Sequence, residues 1–431
     1  MKLSIIFHNI NINYGDGGTE KYIRNQINKY NKSNINCVVI FQLTRNYKLI
    51  EFDYFGFMYN FKFIGFTNKT EIMKWINKIK NNGIQICDVY IHHLRDFNIL
   101  SLISIIKVIG KTQYYFYVHD YYSTCIQYNL LKNGKSFCGD ANLDKEKCSD
   151  CKYYLESIEN KRRIYDLLLL IKKDLKVIIP SEFTKNMWCS AYPEFIECVL
   201  IIPHLKLEGK YLENRKYLGN TDCVKIAFVG GQAYNKGWEN WKIASDILLA
   251  KKCKLKLYYF GSAKDNRMGI ENVYVSIAKM GGDAMMNELR RHNIDCVVLF
   301  SCVPETYSYT YYESFAANTF IITNYDSGNI ANLVQKNKNG IIIENNVNAL
   351  VKFLSDSKQL ISLINSFRSK NIYGPLKLIN NFSKIFEYEQ DNKKIKFPIF
   401  PISIKRLLWE LIYRIKYYNY INIIRKKEDE K

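Results

Sequence analysis

Short apolar, β-branched runs alternate with amphipathic helical stretches along most of this chain, and the alternation starts twice. Residues 3–8 read as a first strand, followed by a glycine turn at 15–18 and a helix from Thr19. Residues 37–42, 89–93, 114–119, 177–180 and 199–203 read as further strands, and 156–174 as a charged helix with an apolar stripe. Near Asn220 the pattern begins again: 225–229 is a strand, followed by another glycine turn and a helix from Trp238. Residues 255–260, 273–275, 297–300, 320–323 and 340–343 continue it. Strands separated by helices pair in parallel and bury both faces of the sheet. Two Rossmann-like halves facing across a cleft are therefore expected, 1–218 and 219–385, with a basic helical extension at 386–431. In such folds ligands sit at the carboxyl ends of the strands, so the informative residues should follow the apolar runs.

At 431 residues the chain is too long for one ordinary domain, and 48% hydrophobic residues supply real cores. The balance of 62 basic against 41 acidic residues gives +21. That excess suits nucleic acid, an anionic membrane surface or a phosphorylated substrate, and equally a Lys/Asn/Ile-rich composition without functional meaning. The apolar run at residues 5–7 is too short for a secretory leader, and 167–171 is far short of a membrane span. A cytoplasmic protein is expected, so the twelve cysteines do not read as a disulfide scaffold.

Five segments carry candidate chemistry. In residues 303–334, Glu305 follows an apolar strand and Glu313 comes eight positions later. Eight residues make a little over two helical turns, which predicts both carboxylates on one side of a helix starting near Tyr307. Amides at Ser308, Tyr309 and Thr310 would form a positive helix end suited to phosphate. In residues 226–241 a strand ends in Gly230-Gly231, and Lys236-Gly237 opens the next helix. Such glycines permit close backbone approach, and the lysine can neutralise a diphosphate. Gly17 and Gly18 close the turn between the first strand and helix, a weak signal alone. His119 ends the strand at 114–119; His92 and His93 also end a strand and His204 follows Pro203, without an assignable role. Finally, Cys125, Cys138, Cys148 and Cys151 fall within 27 residues of loop-like sequence, the last two as C-x2-C. Four thiolates with one close pair suit a structural zinc; buried free thiols or a redox pair are the alternatives.

In this order the segments resemble the family 4 glycosyltransferases of the GT-B fold, whose donor segment carries two glutamates separated by seven residues. The resemblance spans residues 1–385. It implies a retaining transfer of a sugar from a nucleotide-sugar donor, with no metal at the donor site. By position, Glu305 would contact the transferred sugar and Glu313 the donor ribose. The 326–329 loop, with Gly328 and Asn329, would face the phosphates. Gly17, Gly18, Gly230 and Gly231 would let backbone approach the donor, and His119 would touch the sugar near the reacting carbon. Many relatives carry arginine where this chain has Gly231, which leaves Lys236 to hold the phosphate charge alone. The resemblance suggests a glycan or lipid-linked acceptor in bacterial surface polysaccharide or lipopolysaccharide assembly. A nucleotide-sugar epimerase of the same fold is the nearest alternative. A basic nucleic-acid-binding protein is disfavoured, because the basic residues are scattered and no nucleic-acid module is recognised, so nucleic acid is not expected as a partner.

The scatter ends at the C-terminus. From Lys393 to Lys427 basic residues recur against the single acid Glu410. Ile404, Leu407, Leu408, Leu411, Ile415 and Tyr418 repeat at helical spacing, with Trp409 and Tyr413 beside them. A basic amphipathic helix of this kind predicts peripheral docking on an anionic membrane, at the inner face of the cytoplasmic membrane; packing on the protein itself is the alternative.

Overall fold

A computed structural model describes residues 2–13, 17–33, 35–42, 54–208, 216–219, 222–370, 377–380, 407, 408, 411 and 415. In chain order it begins with β1 (Lys2–His8), α1 (Gly18–Lys32), β2 (Asn36–Gln42), β3 (Tyr54–Tyr59), β4 (Lys62–Asn68), α2 (Lys69–Asn81), β5 (Gln85–Ile91), α3 (Ile99–Ile109) and β6 (Gln113–Tyr117). Next come β7 (Leu131–Lys132), β8 (Ser136–Phe137), α4 (Lys145–Cys148), α5 (Tyr154–Ile171), β9 (Leu175–Ile179), α6 (Glu182–Ala191), β10 (Val199–Ile201) and β11 (Leu205–Glu208). The third stretch holds β12 (Val224–Val229), α7 (Trp238–Ala250), β13 (Leu255–Gly261), β14 (Ile270–Tyr274), α8 (Ile277–Met280), α9 (Ala284–Arg291) and β15 (Cys296–Leu299). It continues with α10 (Tyr309–Ala316), β16 (Phe320–Asn324), α11 (Asn329–Asn337), β17 (Gly340–Ile343), α12 (Val347–Ser355), α13 (Ser357–Lys370) and β18 (Lys377–Asn380).

By their internal contacts these elements form two compact units. The first holds Met1–Tyr117 and Arg162–Val177, the second Val118–Lys161 and Ile178–Phe386. The division differs from a boundary at 218: residues 118–161 and 178–218 group with the second unit.

In the first unit the strands lie in the order β9-β6-β5-β1-β2-β3-β4. β1 pairs in parallel with both β2 and β5. Its residues after Lys2 are all buried, as a strand covered on both faces requires. The order reverses at β1, because β2 adds on one side and β5 on the other. β3 and β4 form an antiparallel edge hairpin turning through Asn60 at φ 48°. Asparagine is among the few side chains that adopt this left-handed geometry readily. The sequence periodicity gave no indication of this hairpin.

The main sheet of the second unit has the order β14-β13-β12-β15-β16-β17, parallel throughout. Successive residues of β12 point to opposite faces. Val224, Ile226 and Phe228 join Trp241, Leu248, Leu350 and Phe367 in one core. Ala227 and Val229 join Leu289, Tyr311, Ile321 and Val334 in the other. The chain crosses from the β14 side to the β17 side between β12 and β15. That reversal is the switch point, where the loops after two neighbouring strands part and leave room for a ligand. β11 and β18 form a separate antiparallel pair, also unforeseen from the sequence.

The turn after β12 depends on one glycine. Gly237 takes φ 78°, and a Cβ there would lie 1.9 Å from the Phe300 carbonyl oxygen. Close approach of the two loops is what this glycine provides.

No helix among the described residues is long and apolar enough to cross a membrane. Of the C-terminal stripe, Leu407, Leu408, Leu411 and Ile415 are helical and exposed. Ile404, Trp409, Tyr413, Tyr418 and the basic residues from Lys393 to Lys427 lie outside the described residues, as do Gly15 and Asp16.

Gly237→Ala is expected to destabilise the second unit, by about 1–2 kcal/mol from the left-handed backbone alone and by more once Phe300 is displaced. Thermal unfolding checks this, and an unchanged midpoint would contradict the packing described.

Candidate functional site

At the switch point of the second unit, the loop from Ser301 to Thr306 leaves β15 and meets the turn after β12. Cys302 donates its amide to the Asn235 carbonyl at 3.1 Å. The Ser301 hydroxyl lies 2.7 Å from the same carbonyl and 3.0 Å from Glu305 Oε1. Lys236 Nζ stands 2.6 Å from Glu305 Oε1. The Glu305 side chain is only 10% exposed whereas Lys236 is 44% exposed. The lysine is thus the solvent-facing partner, free to turn toward an incoming anion without unburying the carboxylate.

Backbone pairing fixes Glu305. It forms a parallel bridge with Gly328, donating to Ser327 O at 3.3 Å and accepting from the Asn329 amide at 3.0 Å. Gly328 adopts φ 61°, and a Cβ there would meet Pro304 Cα at 2.7 Å. Gly328 and Asn329 therefore clamp the glutamate, and the Asn329 amide is committed to that clamp. This corrects the helical argument for the pair: α10 begins at Tyr309, so Glu305 lies on extended backbone before it. The eight-residue spacing does not set the relation of the two carboxylates. Glu313 sits within α10 at 1% exposure.

The start of α10 is capped by Ser308, whose hydroxyl accepts the Tyr311 amide at 3.2 Å. That hydroxyl is engaged in capping, and it also lies 3.0 Å from Thr310 Oγ1. The amides of Tyr309 and Thr310 belong to the first helical turn, which has no intrahelical acceptors and presents a positive end. Gly230, at φ 105°, brings its backbone beside Thr310, whose Cγ2 would lie 3.6 Å from an added Cβ. Around Gly231 an added Cβ would meet nothing within 4 Å. The end of β12 and the start of α10 are therefore neighbours, as an anion site between a glycine turn and a helix N-terminus requires.

His119 reaches the same loop through its backbone. Its carbonyl accepts the Thr306 hydroxyl at 2.6 Å, and the Thr306 carbonyl accepts from Ser181 Oγ at 3.1 Å and Thr184 Oγ1 at 3.2 Å. His119 stands two residues beyond the end of β6, half-buried, with its ring 5.2 Å from that of His204. His204 in turn packs 4.5 Å from Tyr307, whose hydroxyl accepts the Leu205 amide. Ser301, Thr306, Ser181, Thr184 and His204 carried no functional signal in the sequence. Ser181 and Thr184 meet Thr306 more than a hundred residues away in the chain, and Ser301 reaches Asn235 across 66 residues.

In the first unit Gly17 precedes α1, and an added Cβ would lie 2.4 Å from Glu20 Oε2. Gly18 begins the helix. Glu20 Oε1 lies 3.1 Å from His8 Nε2, and burial holds the His8 imidazole below its ordinary pKa. These residues lie at the reversal of their own sheet, between β1 and β5.

The four clustered cysteines line one cavity of about 200 Å³ in the second unit. Among the described residues, no three His, Cys, Asp or Glu side chains already stand where they could hold a metal. A larger groove of about 940 Å³ is lined by Lys225, Asp295, Asn318 and Arg368. It opens at the amino ends of the strands, the wrong end for a ligand of this sheet.

No protein-family model matches the chain, and no curated protein matches it by sequence. Solved structures do match in fold. TarM is 10% identical with a TM-score of 0.51, over 86% of this chain and 94% of that one. A glycosyltransferase from Rickettsia africae ESF-5 is 11% identical with a TM-score of 0.51, over 85% of this chain and 91% of that one. The chain has an α/β fold of the GT-B type, with two parallel-sheet domains.

Burial pushes His204 down to about 3 from an ordinary 6.5. Between these values the unfolded chain binds a proton that the folded chain does not. The stability contribution is therefore complete above 6.5 and is lost as pH falls from 6.5 toward 3. His204→Gln is expected to flatten the pH dependence of the urea midpoint between pH 7 and 5. An unchanged slope would place the imidazole in water.

Proposed function

We propose that this protein is a retaining glycosyltransferase, moving a hexose-type sugar from a nucleotide-sugar donor to a glycan or lipid-linked acceptor. The observation that carries the reading is the Lys236–Glu305 pair at the switch point, flanked by the Gly230-Gly231 turn and the start of α10. A cation and a positive helix end suit a diphosphate, and a carboxylate held beside them suits sugar hydroxyls. The glycosyltransferase named in the Rickettsia africae structure is in keeping with it. The donor diphosphate would draw Lys236 from Glu305, freeing the carboxylate for the sugar as leaving-group charge develops. Lys236 and the helix end would then stabilise the departing nucleotide. His119 and Glu305 would border the reacting carbon. No protein nucleophile is assigned, and no metal is needed for this use of the site. Surface polysaccharide or lipopolysaccharide assembly is the setting we favour.

Glu305→Gln should fold normally yet lose transfer by more than ~100-fold, because it removes the preorganised charge beside the sugar. Glu313→Ala should instead weaken donor binding by on the order of 10- to 100-fold, the cost of a lost charged acceptor. Calorimetry and acceptor-dependent nucleotide release separate the two. Near wild-type turnover in the first variant, or unchanged donor affinity in the second, removes that residue from the site. Nucleotide release that ignores acceptor would point to an epimerase.

The exposed Leu407, Leu408, Leu411 and Ile415, amid a basic sequence, support docking of the C-terminal segment on an anionic membrane. Each basic residue at such a surface contributes about 1 kcal/mol. Full-length protein should co-sediment with anionic vesicles at low salt, and a truncation after Gln390 should not. Both forms remaining in the supernatant would sink this part of the reading.

A further inference from the structure

Residues 121–153 of the second unit have little regular secondary structure. Their regular structure is the two-residue strands β7 and β8 and the four-residue helix α4. The associated core consists of Tyr121, Cys125, Leu130 and Ala141, with Phe137, Cys138, Leu143 and Met187 partly buried against it. Irregular segments of this length are uncommon inside compact domains, and small cores of this kind usually rely on a covalent or metal staple. All the cysteines are free thiols, so no disulfide supplies one.

Four of the thiols gather around one cavity. Cys138 follows β8, its amide bonded to Leu130 O at 2.9 Å. Cys148 and Cys151 bracket a tight turn, with the Cys151 amide on the Cys148 carbonyl at 2.8 Å. Cys125 enters from a third direction, its sulfur 3.3 Å from Ser157 Oγ. All four line the same cavity. The hairpin and the turn are tied together beside it. Lys132 pairs with Asp150 at 2.6 Å, Asn133 donates to the Asp150 carbonyl, and its side-chain oxygen accepts the Lys152 amide at 2.9 Å.

We propose that Cys125, Cys138, Cys148 and Cys151 bind one zinc ion as a tetrathiolate, and that this metal holds residues 121–153 in place. Because no three of the sulfurs yet stand at ligating separation, metal entry must draw them inward to the ~2.3 Å of a zinc–thiolate bond. Each ligand gives up a proton as its bond to zinc forms, and no electron is transferred. The staple has a consequence at the candidate site. Lys135, at the tip of the β7–β8 hairpin, accepts a 2.6 Å hydrogen bond from the Tyr234 hydroxyl. Tyr234 begins the 3-10 turn that ends in Lys236. The metal therefore braces the turn carrying the lysine, and this second step alone rests on the proposed function.

The test uses full-length protein purified without a polyhistidine tag. Elemental analysis should find about one equivalent of zinc per chain. Cobalt exchange should give thiolate-to-cobalt charge transfer in the near ultraviolet and tetrahedral bands in the red. Cys148→Ser should lose the metal while Cys253→Ser, remote from the cluster, keeps it. If Cys148→Ser fails to fold, stripping wild-type protein with a chelator should lower its unfolding midpoint, and zinc should restore it. Metal-free protein whose four thiols titrate in the native state would overturn the proposal, as would a disulfide among them or a bound iron–sulfur cluster. Zinc content is read without any donor. A metal-bound protein that binds no nucleotide sugar would refute the proposed function and leave the zinc site standing.

Discussion

The loop from Ser301 to Thr306 is held from four directions, and the candidate chemistry depends on it. The turn after β12 takes the Cys302 amide and offers Lys236 to Glu305. The Gly328 bridge clamps the Glu305 backbone from the start of α11. Thr306 binds the His119 carbonyl on one side and the Ser181 and Thr184 hydroxyls on another. A loop with this many backbone partners gains little by moving. Its carboxylate is presented with small reorganisation cost, which is the condition for electrostatic stabilisation of a developing charge. The partly exposed Lys236 is the adjustable member.

Glycine allows these pieces to come so near. Gly237 lets the turn after β12 lie against Phe300, and Gly328 lets the bridge lie against Pro304. Both adopt left-handed backbone, and in both a single methyl group would collide with main chain. Each local choice is thus consistent with the packing around it, and the two glycines fix the approach of three loops at the switch point.

Much of the framework was legible in the sequence. β12, β15, β16 and β17 are apolar runs because a parallel sheet covered on both faces needs them, and the glycines after β1 and β12 mark strand-to-helix turns. Less visible were elements defined by pairing. The β3–β4 hairpin is an edge, and β11 and β18 meet across most of the second half of the chain. The candidate residues Glu305, Lys236 and Gly328 were found by position, but the reason offered for Glu305 was wrong, since a β-bridge holds it and not helical spacing. Thr306 was invisible because its partner His119 lies 187 residues away. The grouping of residues 118–161 with the second unit has the same cause, contacts that no local pattern encodes.

The central claim is that the switch point of the second unit binds a nucleotide sugar. A thermal-shift titration of full-length protein against a panel of nucleotide sugars tests it most directly. Binding to the folded state stabilises by about 2.7 kcal/mol at a hundredfold excess over the dissociation constant. At least one member should therefore raise the unfolding midpoint in a saturable way, and Lys236→Met should abolish the shift. A panel in which no nucleotide sugar stabilises the wild type, or in which Lys236→Met responds as wild type does, would contradict the account.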